Sequence, residues 1–227
     1  EATQQEATSI FVSDHGDMLG ERGLWFKMTF FEGSARVPLM IADVDMQPGL
    51  VKTPVSTIDG TATLGELAGA DLSDLSPWTE GQSLVPLGQG GERAKPVAME
   101  YAAEGSYAPL VALRDARYKY VRCTLDPEQL FDLDKDPHEL HNLADDPVHH
   151  DALNRLRGLA DERWDLALFD AQVRESQARR WVVYDALRNG QYYPWDFQPL
   201  QQASERYMRN HMDLNGLEDN QRYPRGE

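Results

Sequence analysis

Ile10-Phe11-Val12-Ser13-Asp14-His15-Gly16-Asp17 is the stretch on which the reading of this chain turns. An apolar run with strand character ends in a carboxylate and an imidazole side by side. Open α/β sheets place their chemistry at such strand ends. The pair offers a divalent cation one hard oxygen and one borderline nitrogen. Taken alone, Asp14-His15-Gly16 reads more readily as a turn, with Asp14 capping the next segment and Gly16 supplying a positive φ.

The residues that follow reverse that reading. The chain continues Met18-Leu19-Gly20-Glu21-Arg22-Gly23-Leu24-Trp25-Phe26-Lys27, and then Phe31-Glu32-Gly33-Ser34-Ala35-Arg36-Val37-Pro38-Leu39. Together these resemble the C-terminal metal-ligand segment of the sulfatases in the alkaline-phosphatase superfamily. The resemblance implies that Asp14 and His15 complete a cation site begun by acidic residues nearer the N-terminus, and that Lys27 holds the sulfate. Lys27 stands among Trp25, Phe26 and Phe30, which predicts a partly enclosed ammonium acting as a point charge on a sulfuryl oxygen.

The same resemblance calls for a formylglycine nucleophile, made from Cys or Ser in a C/S-x-P-x-R motif. The single cysteine, Cys123, sits instead in Arg122-Cys123-Thr124-Leu125-Asp126. No counterpart of the acidic residues that open the metal site precedes Phe11. The expectation is the C-terminal portion of a longer enzyme, inactive when isolated.

Composition sets the outer bounds. At 227 residues with 41% hydrophobic side chains, the chain can bury a sizeable core. The 22 basic against 38 acidic residues leave a net charge of −16, which disfavours a nucleic-acid partner. A cationic substrate is compatible with that charge. One cysteine excludes an internal disulfide framework and points to a reducing, cytoplasmic setting. No run is apolar enough to span a bilayer, so no membrane partner is expected.

Organisation falls into three parts, at residues 1–109, 110–190 and 191–227. In the first, strands are predicted at 8–12, 37–42 and 97–101, with a helix at 61–67 preceded by an Asp59-Gly60 turn. The stretch 71–91, rich in Gly, Ser and Pro, reads as a surface loop. In the second part, strands at 110–114, 118–122 and 129–133 make a small antiparallel sheet, the middle one alternating as a half-buried strand does. Asp134-Lys135-Asp136-Pro137-His138-Glu139-Leu140-His141-Asn142-Leu143-Ala144 then resembles a sulfatase signature in which Asp-Pro turns the chain and Asn-Leu docks the start of a helix. His138 and His141 read as exposed loop histidines rather than a metal pair. A helix begins at Asp146-Pro147 and runs, with one apolar face through Leu153, Leu156, Ala160 and Trp164, to a stop at Asn189-Gly190.

The third part carries Tyr192-Tyr193-Pro194-Trp195-Asp196-Phe197-Gln198-Pro199 and later Tyr207-Met208-Arg209-Asn210-His211-Met212-Asp213-Leu214. This aromatic, charged tail resembles the C-terminal extension of the choline-sulfatase family. The resemblance implies a fold class of α/β: the C-terminal part of an alkaline-phosphatase-like sulfatase domain, a small antiparallel-sheet and helix subdomain, and an extended tail. It implies hydrolysis of choline O-sulfate to choline and sulfate by formylglycine and a divalent cation. Oxygen-rich ligation with one imidazole favours Ca2+, with Mn2+ or Mg2+ as alternatives. It further implies a homo-oligomer, usually tetrameric, assembled through the tail. Glu104, after a predicted strand, is the candidate carboxylate for the quaternary ammonium, with an exposed loop residue as the equal alternative. Two other functions remain open: an arylsulfatase or phosphonate monoester hydrolase of the same superfamily, and a non-catalytic oligomerisation fragment.

Overall fold

A computed structural model describes residues 7–43, 46, 48–74, 77–93, 95–103 and 105–189. The chain divides into two compact units, Glu1–Asp170 and Ala171–Glu227.

The first unit opens with β1 (Ser9–Val12), the short hairpin of β2 (Met18–Leu19) and β3 (Trp25–Phe26), the single turn α1 (Glu32–Ala35) and β4 (Leu39–Ala42). β1 and β4 pair antiparallel, with Ile10 opposite Ile41 and Val12 opposite Leu39. Both strands fall where the β-branched runs predict them. α2 (Asp59–Leu67) starts two residues before the predicted helix, and Asp59-Gly60 lies inside it rather than in a preceding turn. The cause is the buried Asp59 carboxylate, which accepts the Ser56 N–H at 2.7 Å, the Gln82 N–H at 2.9 Å and the Arg93 guanidinium at 2.6 Å. The predicted loop at 71–91 also gains structure: a 3-10 turn, Leu72–Asp74, and α3 (Val85–Gly88). Pro86 is accommodated in the first turn of α3, and the buried Leu84 and Leu87 hold it down.

The central element is a four-stranded antiparallel meander of β5 (Val97–Tyr101), β6 (Leu110–Arg114), β7 (Tyr118–Cys123) and β8 (Gln129–Asp132), hydrogen-bonded in that order. The strand at 97–101, read from sequence as the end of the first part, is the outer strand of this sheet and faces β6 with Ala98 opposite Leu113. The sheet therefore has four strands, not three. After β8 the Asp136-Pro137 turn forms as predicted, with the Glu139 N–H donating to the Asp136 carbonyl at 3.0 Å. Asn142 extends the sheet edge: its amide donates to the Glu128 carbonyl at 3.0 Å and accepts the Leu130 N–H at 2.9 Å.

Asp146 caps the next helix through the Val148 N–H, behind Pro147, and a 3-10 turn, Pro147–His149, leads into α4 (His150–Arg163). The predicted long helix does not run through. Trp164 is extended, with φ −126° and ψ 128°, and its indole donates to Glu100 at 2.6 Å. Asp165 then accepts the Leu168 N–H at 2.9 Å and starts α5 (Leu166–Arg188) afresh. Apolar periodicity cannot register such a break, because a cap interrupts the backbone without shifting the apolar face.

Leu153, Leu156 and Ala160 of α4 pack on Leu113, Tyr120 and Leu130, one face of the sheet. The opposite face is covered as well. Lys119, on the polar side of the half-buried strand β7, is 1% exposed. It faces the segment before α1 and the loop after β8, where Phe31 meets Phe131 at 6.1 Å.

The described part of the second unit is the remainder of α5. There Trp181 and Tyr184 meet edge to face at 5.2 Å, and Trp181, Val182, Val183 and Leu187 are exposed. Among the described residues, no helix is long and apolar enough to cross a membrane.

Candidate functional site

Three of the four residues singled out from sequence meet in one place. His15 follows β1, and its ring Nδ1 lies 2.8 Å from the Gly16 carbonyl oxygen. A carbonyl only accepts, so Nδ1 is the donor, and in the Nδ1–H tautomer Nε2 presents a lone pair. Lys27 brings its ammonium to 3.2 Å from that Nε2. Asp14 places Oδ2 at 3.3 Å from the same atom, with its side chain 84% exposed. A carboxylate, an imidazole lone pair and an ammonium thus converge on a single point.

The electrostatics follow. The His15 backbone N–H holds the Asp14 carboxyl below the ordinary aspartate range, and the Lys27 charge adds to the effect. Asp14 is therefore a carboxylate at neutral pH, ready to accept a cation or a proton donor.

Local structure sets this geometry. Gly16 donates its N–H to the Ser34 carbonyl at 2.8 Å, and a Cβ at Gly16 would stand 2.3 Å from the Gly33 oxygen. Only glycine permits that approach of the site loop to α1. Lys27 follows Phe26, which has a positive φ of 73°. The Lys27 carbonyl accepts the Ser34 hydroxyl at 2.5 Å and the Thr29 N–H at 2.8 Å.

One expectation about Lys27 fails. Trp25 and Phe26 are 62% and 68% exposed, and Lys27 is itself exposed rather than enclosed by them. The β2–β3 hairpin is two residues on each side, and the aromatic side chains of β3 point outward from it.

The supporting residues were not singled out from sequence. The ammonium of Lys119 reaches the Phe30 carbonyl at 2.7 Å, Glu32 at 2.6 Å and Glu139 at 2.9 Å. Glu139, 2% exposed and with a positive φ of 55°, accepts the Glu32 N–H at 2.7 Å. It thereby satisfies one of the unpaired amides at the start of α1, where Phe31 offers no side-chain cap. Arg22 stacks 4.1 Å above Phe31 and donates to the His138 carbonyl at 3.2 Å. The signal for Glu139 was its place in the Asp136-Pro137-His138-Glu139 pattern, which reads from sequence only as a turn.

His138 and His141 are both exposed, and His141 lies 3.4 Å from Asp136. Among the described residues, no three His, Cys, Asp or Glu side chains form a metal-binding group. Glu104 and residues 191–227 lie outside the described residues.

Comparison with known proteins places the chain among sulfatases. Residues 20–165 match the family described as N-sulphoglucosamine sulphohydrolase, C-terminal, and residues 171–223 match the choline sulfatase enzyme C terminal. The choline-sulfatase of Rhizobium meliloti is 66% identical over 221 residues, which cover 96% of this chain and 43% of that protein. Arylsulfatase K of Danio rerio is 35% identical over 164 residues, covering 67% of this chain and 31% of that protein. Among solved structures, a 2-O GAG sulfatase superposes with a TM-score of 0.59 at 27% identity, covering 76% of this chain and 38% of its own. The phosphonate monoester hydrolase of Silicibacter pomeroyi superposes at 0.55 and 28%, covering 68% of this chain and 34% of its own. The chain spans less than half the length of the curated relatives it matches. With two family matches that together cover most of its length, this chain belongs to the sulfatase family, as a C-terminal portion carrying the choline sulfatase C-terminal module.

Proposed function

We propose that this chain contributes the C-terminal part of a choline sulfatase, an enzyme hydrolysing choline O-sulfate to choline and sulfate. The observation that carries the reading is the meeting of Asp14, His15 and Lys27 around one imidazole nitrogen, within 3.3 Å. Residues 1–109 would belong to the α/β domain of an alkaline-phosphatase-like sulfatase, 110–190 to a sheet-and-helix subdomain, and 191–227 to a tail that joins copies of the chain into a homo-oligomer, most simply a tetramer.

The donor set fits a divalent cation in part. The Asp14 carboxylate and the His15 Nε2 lone pair would hold it, with further ligands from other residues, and Ca2+ suits a mostly oxygen site better than Mn2+ or Mg2+. When bound, the cation supplies positive charge beside the sulfuryl oxygens. The formylglycine nucleophile of the family would come from elsewhere in the enzyme.

The roles of this chain's own residues follow from their donors. An ammonium has three N–H donors, and with the His15 Nε2 lone pair on a cation all three Lys27 N–H groups would be free for an anionic oxygen. Its charge opposes the negative charge that gathers on the sulfuryl group and on the departing choline oxygen. The Nδ1–H bond to Gly16 keeps the imidazole from rotating and keeps its Nε2 lone pair in place. Glu104 is the candidate carboxylate for the quaternary ammonium, which cannot donate a strong hydrogen bond and so calls for charge and aromatic faces.

The test is sulfate release from choline O-sulfate by the full-length enzyme, with p-nitrophenyl sulfate and a phosphonate monoester alongside. Preference for choline O-sulfate is the expected result, with Lys27→Ala lowering kcat/KM about 100- to 1,000-fold, as loss of one oxyanion donor does. Glu104→Gln is expected to raise KM for choline O-sulfate alone. Preference for either other ester moves the assignment to arylsulfatase or phosphonate monoester hydrolase, and no turnover of any leaves the oligomerisation role.

A further inference from the structure

We propose that Ser34 is the positioning residue that sets Lys27 against His15, and that the buried Lys119–Glu139 pair fixes Ser34 in turn. The proposal rests on the sulfatase reading of Lys27. Ser34 is 3% exposed and touches both halves of the site. Its hydroxyl donates to the Lys27 carbonyl at 2.5 Å, and its carbonyl accepts the Gly16 N–H at 2.8 Å, one residue from His15. A single residue therefore spans from the backbone of the ammonium donor to the backbone beside the imidazole.

The direction of the Ser34 hydroxyl is itself set by the network. A serine in a helical turn commonly back-bonds the carbonyl four residues earlier. That carbonyl belongs to Phe30, which lies ahead of α1 and accepts the Lys119 ammonium at 2.7 Å. Glu139 holds the Glu32 N–H at 2.7 Å, so α1 cannot turn about its axis without breaking a buried charged contact. The Ser34 hydroxyl is left facing Lys27, seven positions back. The Lys27 carbonyl also accepts the Thr29 N–H at 2.8 Å, but its side chain is exposed and the preceding Phe26 sits in the left-handed region, which favours glycine. Ser34 supplies the side-chain restraint on its backbone.

The experiment is a double-mutant cycle in the full-length holoenzyme, with Ser34→Ala, Lys27→Ala and both together, assayed on choline O-sulfate. Ser34→Ala is expected to lower kcat/KM about 10- to 100-fold, the loss typical of a misplaced catalytic group. In the Lys27→Ala background the same change is expected to cost less than about threefold, because residues acting through one another are non-additive. The shift in Tm should be the same in both backgrounds. Ser34→Thr, which keeps the hydroxyl, is expected to retain activity. If Ser34→Ala does not fold, Ser34→Cys keeps the volume while weakening the bond and takes its place in the cycle. Losses that multiply, or a fall in Tm with kcat/KM unchanged, overturn the proposal. Hydrogen exchange separates the two readings if wild type does not hydrolyse choline O-sulfate. Faster exchange of the Lys27 to Thr29 amides in Ser34→Ala, with the β6–β8 amides unmoved, then upholds the positioning role while the substrate assignment falls. Unaltered exchange there overturns the positioning role as well.

Discussion

The two faces of the β5–β8 sheet are built on opposite principles. Toward α4, Leu113, Tyr120 and Leu130 meet Leu153, Leu156 and Ala160 in an apolar layer, with ion pairs such as Arg157–Glu128 confined to its rim. On the other face a lysine stands at the centre, 1% exposed, between two carboxylates and a backbone carbonyl. Burial of apolar surface is non-directional and tolerates small shifts of α4. A buried charge tolerates none, because its desolvation is offset only while every partner stays in place. The first face therefore supplies stability. The second supplies register, and it faces the segment that carries Lys27.

Glu139→Ala gives the largest expected effect and is the most direct way to break this comparison. It leaves the Lys119 ammonium with Glu32 and the Phe30 carbonyl, and it uncaps the Glu32 N–H. The expected cost is about 4 kcal/mol, within the range for removing one partner of a buried pair. Activity of the remaining folded enzyme should fall as well. Denaturant titration together with kcat/KM per folded molecule measures both. Full activity in the folded fraction would reduce the ionic face to a purely structural feature.

Leu156→Ala is the counterpart on the apolar face. Leu156 is fully buried in the cluster, and its truncation is expected to cost about 3 kcal/mol, as cavity-forming core changes do. Here kcat/KM at 20 °C should stay within about twofold, since Leu156 packs on the face of the sheet opposite Lys119. A large loss of activity from this change would show that the two faces are coupled.

The sequence announces these faces unequally. Strand positions in β5 to β8 follow from alternation to within a residue, and the α4 face follows from Leu153, Leu156 and Ala160 at helical spacing. Lys119 reads as the solvated side of β7, because the partners that bury it lie far along the chain: the Phe30 carbonyl is 89 positions away, and Glu139 caps an amide 107 positions before it. Periodicity records which side of a strand is apolar but not what covers the polar side. The site divides in the same way. Asp14, His15 and Lys27 sit in a contiguous run whose chemistry and resemblance point to them. Ser34 carries no such mark, since a hydroxyl in a short helix looks like a surface residue until its neighbours are known. The enclosure expected for Lys27 from Trp25 and Phe26 fails for a related reason: adjacency in sequence does not say which way a side chain points from a two-residue strand.

The smallest expected effect concerns the rim of the apolar face, where charge should matter only weakly and only above a definite pH. Arg157 holds the Glu128 carboxyl below the ordinary glutamate value of 4.5, with its guanidinium at 2.5 Å and the Tyr120 hydroxyl assisting. A carboxyl whose folded pKa is depressed contributes stability that is present above its unfolded value and lost as pH falls through the folded one. The Arg157 side chain is 38% exposed, so solvent screens the pair and Arg157→Ala should cost less than about 1 kcal/mol at pH 7. That difference from wild type should persist down to about pH 5 and close below 4.5, as Glu128 takes a proton in both proteins. Tm measured against pH for the two proteins tests the sign directly. Curves that stay parallel through pH 3 would mean that Arg157 stabilises through the packing of its stem along α4 rather than through Glu128. Such a result would carry the apolar character of this face out to its rim and set it further apart from the ionic centre around Lys119 on the other.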